Sequence, residues 1–198
     1  MFFTRKPGAG ELREVARRVQ VMIEAGLCYD AVKLSHETLR PFKGSRSAPR
    51  ELAEIMRLSG VAYLVMYQKQ VHDADYDATD RVIRDSEEGK LALSNLRMVY
   101  EWEKGLGYKN TATVYYLAKV LILKSEYEEA RDVVTGSDQL PGIETADYYV
   151  TMGRIAERWN ETEKAFRFAK KAAELDPSHW WLGVYREKLT CGKLGEQG

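Results

Sequence analysis

Enzymatic or metal chemistry needs nucleophiles, bases or ligands brought within reach of one another, and this sequence supplies few. Its three histidines, His36, His72 and His179, are scattered. None stands four residues from another, and neither His-Glu-x-x-His nor Cys-x-x-Cys occurs. Ser35-His36-Glu37 has the residue types of a hydrolytic triad. On a helix, however, consecutive residues point in different directions, so the run cannot assemble one by itself. The acidic stretch His72-Asp73-Ala74-Asp75-Tyr76-Asp77-Ala78-Thr79-Asp80 has the density of a calcium loop. It carries Ala78 and Arg84 where such a loop needs its Gly and its bidentate Glu. It reads instead as the start of a helix, its carboxylates meeting the positive end of the dipole. Gly105-Leu106-Gly107 is followed by Asn110 where a dinucleotide fingerprint needs its third Gly, and no strand precedes it. The expectation is a non-enzyme with no metal and no cofactor.

What remains is binding, and composition narrows the partner. The chain has 198 residues, 30 Lys and Arg against 30 Asp and Glu, and a mean hydropathy of −0.45. Hydrophobic residues at 44% suffice for a core. A neutral balance argues against nucleic acid, whose binding domains usually carry a basic excess. Cys28 and Cys191 lie near opposite ends and do not form a disulfide framework. The N-terminus lacks an apolar signal core, and the longest apolar run, Val61 to Tyr67, is far too short to span a bilayer. These features predict a protein of the cytosol or nucleus, with no membrane segment.

The elements that would position a binding surface are helices throughout. Apolar residues recur at three- and four-residue spacing, which predicts helices over 10–25, 28–40, 49–72, 76–86, 89–104, 111–124, 127–136, 144–158, 161–175 and 179–190. Gly26, the turn-rich Pro41–Pro49 segment, Gly105-Leu106-Gly107, Pro141-Gly142 and Asp176-Pro177 supply the breaks. One domain over 10–190 is expected, with an N-terminal extension over 1–9 and a tail over 191–198.

The helices repeat. Tyr149-x2-Met152-Gly153-x2-Ala156 precedes Ala165-x3-Ala169-x2-Ala172 and Asp176-Pro177. Thirty-five residues earlier, Val114-x2-Leu117-Ala118-x2-Leu121 precedes Ala130-x3-Val134. Gly153 to Ala165 and Ala118 to Ala130 are both twelve residues, small positions that let paired helices approach. Val15-x2-Arg18-Val19-x2-Met22 with Ala31-x3-Ser35 fits loosely, and Ala62-x2-Val65-Met66 with Ala78-x3-Val82 more loosely still. This pattern resembles the tetratricopeptide repeat family, best over Tyr148 to Pro177. It departs at Ala156 and Ala169, where the family favours large aromatics. The resemblance implies an all-α, right-handed superhelical solenoid of helix hairpins. Two irregular insertions interrupt it: the Pro41–Pro49 segment and an extra helix over Lys90–Lys104. A final helix carrying Trp180, Trp181 and Tyr185 would cap its end.

In that family the first helix of each hairpin lines a concave surface. The implied stripes are Arg13, Ala16, Gln20; Tyr63, Tyr67, Gln70; Tyr115, Lys119, Ile122; and Val150, Arg154, Glu157, with Arg158 beside the last. Tyr and Arg dominate interface hot spots, so the expected partner is a protein or peptide held by aromatic contacts and cations. The alternative is that Tyr63, Tyr67 and Tyr115 pack between repeats. The family's carboxylate clamp is not expected, because the matching positions hold Ala16, Gln20 and Leu64. A second reading is a structural subunit or homo-oligomer with Trp102, Trp180 and Trp181 at interfaces. Charge is uneven enough to guide pairing. Residues 1–57 hold eleven Lys and Arg against seven Asp and Glu, whereas residues 72–103 hold four against nine. An RNA-binding repeat rests on that basic first quarter alone.

Overall fold

Caps and turn residues set where each helix begins and ends. The computed structural model describes residues 6–43, 50–73, 86–107, 110–135, 145–179 and 182–183, with side chains over 71–73 left aside. Among them are eight α-helices: α1 Ala9–Glu24, α2 Cys28–Leu39, α3 Arg50–Asp73, α4 Glu87–Gly105, α5 Thr111–Leu123, α6 Tyr127–Val134, α7 Ala146–Arg158 and α8 Thr162–Leu175. A 3₁₀ turn at Arg40–Phe42 follows α2. Ser86, Asn110 and Thr145 cap α4, α5 and α7 by accepting backbone N–H bonds through their side-chain oxygens. Leu175 ends α8, immediately before Asp176-Pro177.

Three hairpins share one turn. Gly26, Ser125 and Asn160 all adopt left-handed backbone, with φ of 77°, 63° and 58°. Each donates its N–H three residues back, to Ile23, Ile122 and Glu157, at 2.9–3.0 Å. The next N–H in each case reaches five back, to Met22, Leu121 and Ala156, at 2.8–2.9 Å. This is the six-to-one closure that satisfies helix-end carbonyls. Seven residues before each left-handed residue stands Val19, Ala118 or Gly153, and twelve after those stands Ala31, Ala130 or Ala165. All six are buried. The repeat is therefore visible in backbone conformation as well as in residue type.

The order of packing is α1 on α2, α2 on α3, α3 on α4, α4 on α5, α5 on α6 and α7 on α8. The first helices of the hairpins, α1, α3, α5 and α7, also meet side by side. One apolar core runs from Leu12 of α1 to Ile155 of α7, and a smaller one joins α7, α8 and Leu182. Each fully buried leucine, such as Leu117 or Leu121, contributes roughly 1.5–3 kcal/mol. Arg97 of α4 donates to Glu129 at 2.8 Å and Glu126 at 3.3 Å, and Arg131 of α6 donates to Glu161 at 2.9 Å. These exposed pairs join successive second helices and add about 0–1 kcal/mol each.

The second hairpin corrects the sequence reading. Residues 90–104, expected as an extra helix, lie within α4 and pack along α3 in the place expected for its hairpin partner. A Cβ on Gly60 would meet Leu96 Cγ at 2.8 Å, and one on Gly89 would meet the Tyr67 ring at 3.2 Å. The two glycine sites thus mark two crossings of an antiparallel pair, seven residues apart on each helix. The segment 76–86 expected as the partner lies, but for Ser86, outside the described residues. So do the capping helix beyond Gly183, the tail over 191–198 and residues 44–49 of the turn-rich insert.

Candidate functional site

The most developed polar arrangement lies where α5 meets α7. Tyr115 and Lys119 sit one turn apart on α5, and Asp147 lies in the first turn of α7, placed there by the Thr145 cap. The Asp147 carboxylate accepts hydrogen bonds from the Tyr115 hydroxyl and the Lys119 ammonium. Its other oxygen is 3.6 Å from His179 Nε2. Burial raises the Asp147 carboxyl, but Lys119 and the two hydrogen bonds outweigh it and hold the group below its ordinary range. Burial, then the Asp147 charge, pushes the Tyr115 phenol far above its ordinary range. The cluster is an internal clasp between neighbouring hairpins, and Lys119 directs its charge inward. Rings continue the contact: Tyr115 lies 4.9 Å from Tyr116 and 6.1 Å from Tyr148, and Tyr149 stacks on Phe168 at 6.2 Å.

The expected groove residues divide. Tyr63, Tyr67, Tyr115 and Ile122 are buried and present no surface to a partner. Tyr67 packs its ring against Gly89 and donates to the Leu123 carbonyl at 3.4 Å, while the Tyr63 ring lies 6.0 Å from His36. The reason is the identity of the α3 partner: with α4 in that place, the stripe left free in the sequence reading faces the core. Among the described residues, the packing alternative accounts for the tyrosines. Arg13 is exposed and lies 3.7 Å from Glu51 of α3. Gln20 donates to Glu24 at 2.7 Å on its own helix. Arg154 is half-buried on α7, and Arg158 stands over the Tyr127 ring at 5.5 Å. Trp102 is half-buried in an apolar groove, and Trp180 and Trp181 lie outside the described residues.

Sequence reasoning missed a second set on the same first helices. Burial raises the Tyr116 phenol, and Arg57 of α3, which pairs with Glu54, offsets only part of that rise. Beside them, a cavity of about 240 Å³ is lined by Arg13, Arg50, Glu51, Glu54, Glu103 and Asn110. Glu103 is 3% exposed. One carboxylate oxygen accepts from the Thr113 hydroxyl at 3.1 Å, and the other is buried without a hydrogen-bond partner. Burial raises its carboxyl above the ordinary range, against the Thr113 bond. In sequence Glu103 is one of several charges near a helix end, and no periodicity distinguishes it from exposed Glu101. Among the described residues no three His, Cys, Asp or Glu are grouped to hold a metal ion, and no helix is long and apolar enough to cross a membrane.

No family model matches the sequence, and neither does any of the curated proteins. Solved structures do align with it. One is YrrB, described as a TPR protein with an unusual peptide-binding site, at 18% identity over 88% of this chain and 90% of that one, with a TM-score of 0.38. Another is MamA residues 41 to end from Desulfovibrio magneticus RS-1, at 18% identity over 87% of this chain and 98% of that one, with a TM-score of 0.37. A double mutant of RS-1 MamA aligns at 17% identity with a TM-score of 0.38. The chain's own recurring turns, twelve-residue spacings and hairpin order define it as an all-α hairpin array resembling tetratricopeptide repeats.

Proposed function

We propose that this chain is a non-enzymatic binding module, a scaffold or adaptor that takes a protein or peptide segment along the face shared by α1, α3, α5 and α7. One observation carries the reading. Arg13, Arg57, Tyr116 and Arg154 stand on those side-by-side first helices and keep part of their surface outside the core. Arginine and tyrosine combine planar hydrogen bonding with large amphipathic area, the properties that concentrate binding energy at interfaces. Lys119 is not a clean probe, because reversing its charge would set a second carboxylate against Asp147. Arg154 is suitable, and so is Arg13, which is 73% exposed, so that its 3.7 Å pair with Glu51 contributes only about 0–1 kcal/mol. Partners crosslinked to the chain in its native cell and then purified are expected to bind Arg13→Glu and Arg154→Glu at least tenfold more weakly, with circular dichroism and melting unchanged. Equal binding by both variants removes this face as the site.

A further inference from the structure

We propose that the groove between α2, α3 and α4 is a second docking site, shaped for an acidic amphipathic helix of a partner protein. It lies between the C-terminal ends of α2 and α4, over the first turns of α3, and encloses about 660 Å³. Leu52 and Ala53 of α3 and Val99 of α4 form its buried floor. Leu39, Phe42, Met56 and Trp102 line its half-buried walls, and Met98 stands 54% exposed at the edge. Among the described residues nothing fills this large apolar surface, which carries one tryptophan and two methionines. Methionine adapts to varied apolar shapes, and tryptophan is the residue type most concentrated at hot spots.

Charge and backbone chemistry select the occupant. Among the described residues every ionisable side chain lining the groove is cationic or histidine: Arg40, Lys43 and His36. The Lys6 ammonium adds a further positive charge 5.6 Å from the Phe42 ring centre. Among the described residues no acidic side chain lines it. A segment with carboxylates flanking an apolar stripe complements that rim, whereas a basic segment is repelled. The walls come from side chains of helices and the 3₁₀ turn, with no strand edge to pair an extended chain. An extended occupant would bury its backbone N–H and C=O groups unpaired. A helix satisfies its own and presents apolar residues at i, i+3, i+4 and i+7. The groove shares Ala53 of α3 with the cavity beside Arg13 but opens between α2 and α4 and contains neither Arg13 nor Arg154, so this inference does not rest on that reading.

The test is selection from a phage-displayed library of 16-residue peptides against the full chain, followed by titration of the recovered peptides. Two variants report on the groove: Met98→Glu, at an exposed position, and Arg40→Glu with Lys43→Glu. Peptides that bind the groove are expected to carry net negative charge, to gain helicity on binding, and to lose at least tenfold affinity with either variant. Arg13→Glu and Arg154→Glu should leave their affinity unchanged, which separates this site from the first-helix face. The proposal is overturned if no recovered peptide responds to Met98→Glu, or if the responsive peptides are neutral or basic. It is equally overturned if Met98→Glu abolishes concentration-dependent self-association seen by light scattering, because the occupant is then a second copy. Laurate binding that depends on Met98 while no peptide's does would make the groove a site for small amphiphiles instead.

Discussion

Replacing Gly60 by alanine tests the correction on which the second hairpin depends. Gly60 lies in the interior of α3, where alanine is intrinsically more helical by about 1 kcal/mol. Opposing this gain, the new Cβ would stand 2.8 Å from Leu96 Cγ, 3.1 Å from Leu96 Cδ2 and 3.3 Å from Asn95 Cβ. Leu96 is fully buried, so it has little room to withdraw. Overpacking of this kind costs about 1–3 kcal/mol. The two effects together predict a net loss of about 1 kcal/mol. In a chain of this size that is a fall of roughly 2–4 °C in Tm. Leu96→Ala alone should cost about 2–5 kcal/mol. In that background the two Leu96 contacts are gone and only Asn95 Cβ at 3.3 Å remains, so Gly60→Ala should become stabilising by about 1 kcal/mol. Urea unfolding of the four proteins in the double-mutant cycle therefore predicts a coupling of about 2 kcal/mol. Gly10→Ala, whose Cβ meets nothing within 4 Å, is the uncoupled control and should stabilise by at most about 1 kcal/mol. If Gly60→Ala stabilises the unmodified chain and adds independently to Leu96→Ala, α4 does not pack on α3 as described.

Further outcomes follow from the turns and the buried carboxylates. Gly26→Ala should cost about 1 kcal/mol, because its φ of 77° suits residues without a Cβ, whereas Ser125→Gly should gain about 0.5–1 kcal/mol at the equivalent position; thermal melts check both. Asp147 is held below its unfolded pKa, so its contribution is present above that unfolded value and lost as pH falls through the folded one. Asp147→Asn should therefore flatten the acid limb of the Tm–pH profile below about pH 4. Glu103 has the opposite sign. Its folded pKa is raised, so the chain loses stability as pH climbs from the unfolded value through the folded one. Glu103→Gln keeps an oxygen for Thr113, and it should raise Tm at pH 7 and remove that alkaline-going loss.

The third and fourth hairpins were legible because their signal is local. Ala118 to Ala130 and Gly153 to Ala165 lie within single turns of the chain, and a twelve-residue spacing of small residues survives any error in the rest of the fold. Asp176-Pro177 likewise marks a helix end through the backbone of one dipeptide. The second hairpin was misassigned because its partners are distant in sequence. Gly60 and Leu96 are related only through packing, and nothing about Lys90–Lys104 distinguishes a core helix from an inserted one. The same error placed Tyr63 and Tyr67 on an open face, since the face a helical stripe occupies depends on what packs against it. Asp147 and Glu103 were invisible for a related reason. Asp147, in a first turn, merely suits the dipole, and Glu103 is one carboxylate among several charges near a helix end; only the neighbouring helix turns the one into a clasp and the other into an orphaned buried group.

The uneven connection lengths have a bearing on how the array folds. Hairpins closed by Gly26, Ser125 and Asn160 join their helices through three residues, so their contacts are near in sequence and quick to form. Between Asp73 and Glu87 the chain runs thirteen residues before α4 begins. In a one-dimensional array each unit depends on its neighbours. Contacts of the α3–α4 pair, such as Gly60 with Leu96, join residues much farther apart in sequence, so that pair is expected to form after the short hairpins. Mutations there should lower the cooperativity of the whole before they lower the stability of either end.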